Sequence, residues 1–490
     1  FGDLVSRMVP GLFHLGLIRA HATTIIAMMK QARESMPEAQ RREELIQGAI
    51  LETAEAWFEV SWSVMSNESK ERIIKLGERV EQFELAEEME YWIFALMLTY
   101  RIGIDFGKIF VDVQKVLQKP EIKEDPWVFG TVLLLAYALP GAEETEREMY
   151  LMEALGIFQR IGVVHEQAST LQILGDMAWV KKSFGRAVQF KQAALESYEK
   201  IGDQFSVGQI WFDLARIDLL QGNFDQAFHA YHQSLQIYER NGNKRLIGIT
   251  LSWESLAASR YGTLEHAFDT RRRSLVIAQE ENNLNDYSWA IWETGELYRL
   301  MGDFEQAQIW YQKALPLFEK LPDFNGIGSY YRGLGDIALG LTQWEAACQQ
   351  FQNSIDALTK DHRSWSIWNI AYVQAGLGRS FIGLGKFSEA SDILQKAIHD
   401  AEDQNAWDLT FVPLMGYARL FAETGKREQA IELAVFIISQ SISWNETKRQ
   451  AREVIEFASR DLPSKVVQDA QARGQAMTID QAVALALLEA

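Results

Sequence analysis

The chain has 490 residues, of which 48% are hydrophobic, 11% aromatic and 23% charged. That is the balance of an ordered protein with apolar mass for a long array or several domains, and not of a disordered acidic tail. Its formal charge is 48 − 67 = −19, which opposes non-specific binding to phosphate backbones. The single cysteine, Cys348, excludes an intramolecular disulfide and a cysteine-based zinc site and points to a reducing, cytoplasmic setting.

The chain begins at Phe1 rather than methionine, so it is expected to be a piece of a longer polypeptide. Residues 1–125 are expected to form irregular helical hairpins, because Arg41–Val60, Ser69–Phe83 and Leu85–Tyr100 have helical periodicity without a regular repeat. The most apolar stretches, Tyr91–Tyr100 and Val128–Leu139, fall short of the ~20 residues that span a bilayer. No signal peptide is visible, and no membrane association is expected. The proline-bounded, charged run Gln118–Pro126 reads as a break. Residues 126–163 then read as one degenerate helix pair, Trp127–Leu139 with Glu144–Ile161.

From there to residue 440 the sequence repeats. Alanine recurs at Ala187, Ala227, Ala267, Ala307, Ala347, Ala390 and Ala430, in steps of 40 residues with one of 43. Twelve residues before each alanine stands a small residue: Gly175, Ala215, Ser255, Gly295, Gly335, Gly378 and Ala418. Three residues before it is an aromatic in five repeats (Phe184, Phe224, Phe304, Trp344, Phe387), with Leu264 and Arg427 departing. Seven residues after it comes another small residue, from Ala194 to Ala397, with Ile437 the exception. Small residues in mid-helix A and early helix B let two antiparallel helices approach closely, and the turn aromatic would cover the end of that contact. The turns themselves, such as Met301-Gly-Asp-Phe304, use glycine to end helix A in the left-handed conformation. A mid-helix glycine costs about 1 kcal/mol against alanine, so its return to one slot has a packing cause. Beyond the repeats, residues 441–490 are expected to cap the array. Glu446–Ser459 is amphipathic, and Thr478-Ile-Asp-Gln481 can open a last apolar helix with a capping box.

Catalytic and metal motifs find no support. Gly378-Arg-Ser-Phe-Ile-Gly-Leu-Gly-Lys386 lacks the register and preceding strand of a nucleotide loop, and the repeat assigns its glycines to packing and turning. His229 and His232 share a helix face without an acidic third ligand. Cys348 follows the packing alanine Ala347 and reads as a small buried thiol. No cofactor, metal or catalytic residue is expected.

The small residue, turn glycine, turn aromatic and helix-B alanine, best seen in Gly295-Glu-Leu-Tyr-Arg-Leu-Met-Gly-Asp-Phe-Glu-Gln-Ala307, resemble the tetratricopeptide repeat family over about Val164–Ile438. The period of 40 exceeds the ~34 of the standard unit. The resemblance implies an all-α fold, an α-solenoid superhelix of antiparallel helix pairs, with a concave groove lined by helix A. The family's inner positions fall here on Arg216, Arg260, Trp289, Trp292, Glu296, Arg299, Arg332, Asp336, Tyr372, Arg379 and Arg419. Arginine and aromatic residues are enriched where partners bind tightly, so this strip is the candidate site for an acidic peptide, a protein or a small anionic ligand. The alternative reading pairs the arginines with neighbours such as Glu296 and Asp336 and places the tryptophans in the core. Under the binding reading, charge reversal at Arg299 and Arg379 is expected to weaken binding with stability unchanged. Repeats of this length also look like the C-terminal sensor of bacterial STAND ATPases of the maltotriose-activator and NLR-like kind. The likeness implies missing N-terminal effector and nucleotide-binding domains, and a groove that switches their oligomerisation. The alternatives are a scaffold that docks or restrains a peptidase or kinase domain, and an enzyme with its site hidden in residues 1–125.

Overall fold

The computed structural model describes residues 120–124, 126–137, 142–360, 364–403 and 407–488, with Val113, Leu117 and Gln118 before them. The N-terminal helical hairpins read over residues 1–125, and the possibility of a catalytic site there, therefore lie outside the described residues except for a short 3-10 helix, Pro120–Glu124. Nineteen α-helices and no strand occur among the described residues. No helix among them is long and apolar enough to cross a membrane. The chain divides into two units, Phe1–Ile217 and Asp218–Ala490.

The described part of the first unit holds α1 (Pro126–Ala136), α2 (Glu144–Ile161), α3 (Val164–Val180), α4 (Phe184–Ile201) and most of α5 (Gln204–Gln221). The second continues with α6 (Phe224–Arg240), α7 (Lys244–Tyr261), α8 (Leu264–Glu280), α9 (Leu284–Met301), α10 (Phe304–Lys320), α11 (Phe324–Gly340) and α12 (Trp344–Leu358). It is completed by α13 (Ser364–Gly383), α14 (Phe387–Asp403), α15 (Trp407–Glu423), α16 (Arg427–Ser439), α17 (Asn445–Ser459), α18 (Ser464–Ala476) and α19 (Ile479–Leu488).

The recurring slots of the sequence explain the pairing. All seven recurring alanines are fully buried. Each of the four glycines in the helix-A slot, Gly175, Gly295, Gly335 and Gly378, faces the helix-B side chain four positions past the alanine. A Cβ added at Gly295 would lie 2.6 Å from the ring of Tyr311, one at Gly335 2.7 Å from Phe351, and one at Gly378 2.7 Å from Leu394. The slot is small because a large side chain is seated on it. Small-to-large changes in so dense a contact force side chains off their rotamers. The second small position serves the same joint. Ser354 Oγ donates to Gly328 O at 2.7 Å, and Ser274 Oγ to Gly248 O at 3.2 Å.

The turn aromatic packs within its own helix pair, as Phe184 does with Ala178 and Ala187, and also seals one repeat against the next. Phe224 stacks on Tyr261 at the end of α7, with centroids 4.7 Å apart. The ring of Phe304 sits on Gly340, the last residue of α11, where a Cβ would come within 2.5 Å of it. The A–B turns close as the glycines predict. Gly302 has φ +89, and the following Asp303 N–H donates back to Tyr298 O at 3.0 Å. Gly385 has φ +71, and Gly378 is a helix-packing residue, so the run to Lys386 is a helix end and not a phosphate loop.

At the C-terminal end, α15 to α19 share one apolar cluster that runs from Ala371 to Ala486. Thr478 and Gln481 exchange the reciprocal bonds of a capping box, Thr478 N–H to Gln481 Oε1 at 2.9 Å and Gln481 N–H to Thr478 Oγ1 at 3.3 Å.

Candidate functional site

Successive A helices of the second unit, α7, α9, α11 and α13, project polar and aromatic side chains onto one crevice of about 80 Å³. Its lining includes Arg260, Trp292, Glu296, Arg299, Arg332 and Tyr372, all of them inner-wall residues read from the repeat. Two further lining residues are Trp444, the N-cap of α17, and Glu446 in the first turn of that helix.

Arg299 is the centre. It is only 8% exposed, and its guanidinium grips Glu446 in a two-pronged pair, Nη1 to Oε1 at 2.8 Å and Nη2 to Oε2 at 3.1 Å. On the other side it donates to both oxygens of Glu296 at 3.3 Å. Glu296 also accepts from the hydroxyl of Tyr311 and lies 3.8 Å from Arg332. Burial pulls the Glu446 carboxyl upward, but Arg299, aided by Arg379 and Arg449, outweighs it and holds the group at about 2. Asp336 is pushed the other way, up to about 6, because burial outweighs the opposing charge of Arg299. Its neighbour Tyr372 donates to it at 3.4 Å.

Around this pair the aromatics are arranged as platforms for cations. Arg332 lies 4.6 Å above Trp292 and 4.9 Å from the Tyr372 ring, and donates to Asn369 at 2.7 Å. Arg260 lies 4.2 Å above Trp444 and 3.5 Å from Asp408. Such stacking over a ring quadrupole is stronger where water is excluded. Trp289 belongs to the edge of the core. It packs on Phe318 at 5.1 Å and donates its indole N–H to Asp323 at 3.1 Å.

Two candidates stand apart from this cluster. Arg216, in the first unit, lies 4.1 Å above Trp179. Arg419 is half-exposed, donates to Glu423 at 2.5 Å and stacks at 4.9 Å on Phe457. The expectation that Arg299 could be reversed without loss of stability does not survive its geometry. A buried, doubly paired guanidinium turned into a carboxylate would face Glu296 and Glu446. Arg379, whose charge acts on Glu446, remains suited to that test.

The repeat register hid other polar groups. Lys191, fully buried four residues past Ala187, bridges Asp176 and Asp213 at 2.6 Å each. Arg271, in the same slot after Ala267, pairs with Glu293 at 2.5 Å and donates to Ser252 Oγ at 2.8 Å. The slot holds Tyr231, Tyr311 and Phe351 in other repeats, so a cation there is legible once the slot is known. Trp444 and Glu446 lie outside the repeat and have no such marker.

The remaining motifs add no chemistry. Cys348 is half-buried, and burial pushes its thiol up, away from the reactive thiolate form. His232 pairs with Gln236 at 2.8 Å. No group of three or more metal-ligating side chains forms among the described residues.

The fold is therefore an all-α helical repeat of tetratricopeptide type, with an arginine-rich and aromatic crevice in its second unit. The tetratricopeptide repeat family model matches residues 292–319, the stretch that carries Trp292, Glu296, Arg299 and Tyr311. No curated protein matches the chain. Among solved structures the chain is similar to aspartyl phosphate phosphatase F from Bacillus subtilis, with TM-score 0.49 and 13% identity over 74% of this chain and 96% of that one. The quorum sensor NprR from B. thuringiensis gives TM-score 0.47 and 14% identity over 76% and 99%. A STAND protein with a tetratricopeptide repeat sensor, from Pyrococcus horikoshii, gives TM-score 0.41 and 12% identity over 94% and 71%.

Proposed function

We propose that the chain is a binding module and not an enzyme, a cytoplasmic sensor whose second unit receives an acidic peptide or protein segment on its inner wall. The supporting observation is the two-pronged grip of Arg299 on Glu446, flanked by arginines stacked on Trp292, Tyr372 and Trp444. A wall that holds a carboxylate in this manner has the fork geometry and the desolvated aromatic surface that protein partners use. In the larger polypeptide the module would regulate a signalling ATPase. Its ligand must favour the active arrangement over the resting one, since equal affinity for both shifts nothing. The alternative, a scaffold that docks a peptidase or kinase domain, uses the same wall.

Two experiments test this. The chain and its Arg379→Glu variant are used to capture partners from lysate of the source cells, with thermal melting as the control on folding. The variant is expected to stay folded, with a small drop in melting temperature from the lost attraction to Glu446, and to lose the captured partner. An unchanged captured set overturns the inner wall as the binding surface. The coding sequence upstream of Phe1 separates the two contexts: a phosphate-binding loop of the Walker type supports the ATPase, and a catalytic dyad supports the scaffold.

A further inference from the structure

The segment Ser441–Glu446, a turn that passes through Trp444, the N-cap of α17, into the first turn of that helix, contacts A helices and turns far apart in sequence. The side chain of Ser441 covers Gly222 at the α5–α6 turn, where a Cβ would overlap it. Asn445 donates to Gly262 O, beyond the end of α7, at 3.2 Å. Trp444 is 7% exposed. Its ring stacks on Tyr372 of α13, with centroids 5.9 Å apart and planes at 24°, and lies under Arg260 of α7 at 4.2 Å. Its indole N–H donates to Asp408 of α15 at 3.2 Å. Glu446 then takes Arg299 of α9. This turn and helix start thus lie against the crevice and present to it an aromatic anchor, Trp444, and a carboxylate two residues on, Glu446.

As a ligand, however, the segment is incomplete. Three residues that line the crevice beside it, Arg271, Trp292 and Arg332, each keep one buried N–H with no acceptor: Arg271 Nε, Trp292 Nε1 and Arg332 Nε. Buried donors without acceptors cost about 1–3 kcal/mol each. A carboxylate-rich occupant could satisfy groups that the single carboxylate of Glu446 leaves unmet. The electrostatics favour such an occupant, since arginines 260, 271, 299 and 332 converge on one crevice.

We propose that Ser441–Glu446 is a built-in stand-in for the partner, a strap that occupies the inner wall at rest and is displaced by an acidic peptide presenting an aromatic residue with a carboxylate two positions later. This rests on the binding reading above and deepens it by giving the partner's chemistry. The affinity seen by an outside peptide is reduced by the fraction of molecules whose strap is open.

The test uses the nine-residue peptide of this chain's own sequence, Ser439–Thr447, labelled and capped at both ends, with binding read by fluorescence anisotropy. The full chain is compared with the double variant Trp444→Ala/Glu446→Gln, and circular dichroism and melting confirm folding. The opened variant is expected to bind the peptide about tenfold or more tighter than the wild type, and a peptide carrying the same two substitutions is expected not to bind. If the double variant does not fold, the single Glu446→Gln chain carries the same comparison. If neither folds, the segment is a permanent part of the core and the proposal fails. It also fails if the folded variant ignores the peptide, or if wild type and variant bind it alike. Lysate capture separates the two ideas. Loss of the partner with Arg379→Glu, but equal capture by opened and wild-type chains, keeps the inner wall and removes the strap. No change with Arg379→Glu removes the inner wall itself.

Discussion

Two buried ion clusters are built on the same repeat positions, and they solve different problems. In the first unit Lys191 of α4 holds Asp176 of α3 and Asp213 of α5 at 2.6 Å each, so every partner is within 22 residues of it. In the second unit Arg299 of α9 holds Glu296 of its own helix and Glu446, a residue 147 positions away. Both stand over a helix-A glycine: Lys191 lies on Gly175, and Tyr311, which donates to Glu296, lies on Gly295. The first cluster joins neighbouring helices. The second fastens a segment from outside the repeats onto the inner wall. A buried pair is poor evidence of net stability, because desolvation offsets its attraction, and one that spans the array is better read as a device for placing a segment.

That contrast can be broken first at Lys191. Removing it leaves Asp213, whose side chain is 17% exposed, without its cation, while Asp176 is already half-exposed, so Lys191→Ala should cost about 3 kcal/mol in urea-unfolding stability. A cost below about 1 kcal/mol would mean that solvent screens Asp213 as well as Asp176. Glu446→Gln should cost less, about 2 kcal/mol, because Arg299 keeps Glu296. Its pH dependence sharpens the difference. The folded Glu446 carboxyl is held at about 2, below its unfolded value of about 4.3. Its contribution is therefore complete above the unfolded value and is lost as pH falls through the range down to about 2. The stability gap between wild type and Glu446→Gln should narrow over that acid range. Asp336, pushed up to about 6, has the opposite sign. It takes up a proton in the folded state first, so wild-type stability should decline as pH rises from about 4 to about 6.

The smallest effects lie at the two glycines. Alanine gains about 1 kcal/mol in helix propensity at either. At Gly295 the new Cβ would lie 2.6 Å from the ring of Tyr311, and overpacking against a rigid ring costs about 1–3 kcal/mol, so Gly295→Ala should be destabilising. At Gly175 the nearest atom is 3.0 Å away on the flexible Lys191 chain, so Gly175→Ala should be close to neutral. Thermal melts of the two variants, measured side by side, check the order.

How much of this was legible follows from the same contrast. Helix phase, the turn glycines and the tight A–B joints could be read because Gly175, Gly295, Gly335 and Gly378 return in one register. Of the positions read from that register, Arg260, Trp292, Glu296, Arg299, Arg332 and Tyr372 converge on one crevice. Lys191 and Arg271 could have been found by asking what faces each small residue. Trp444 and Glu446 could not, because no spacing within the repeat reports a contact across 147 residues. The second contact of the turn aromatics was not legible, since the glycine that receives Phe304 is Gly340 of the following helix A.

The central claim is that Glu446 and Arg299 recognise each other specifically across the array. A double-mutant cycle with Arg299→Ala, Glu446→Ala and the combined variant, followed by chemical unfolding, measures that coupling directly. The account predicts a coupling energy above about 1 kcal/mol. Single effects that simply add would contradict it and return the segment to the role of an ordinary linker.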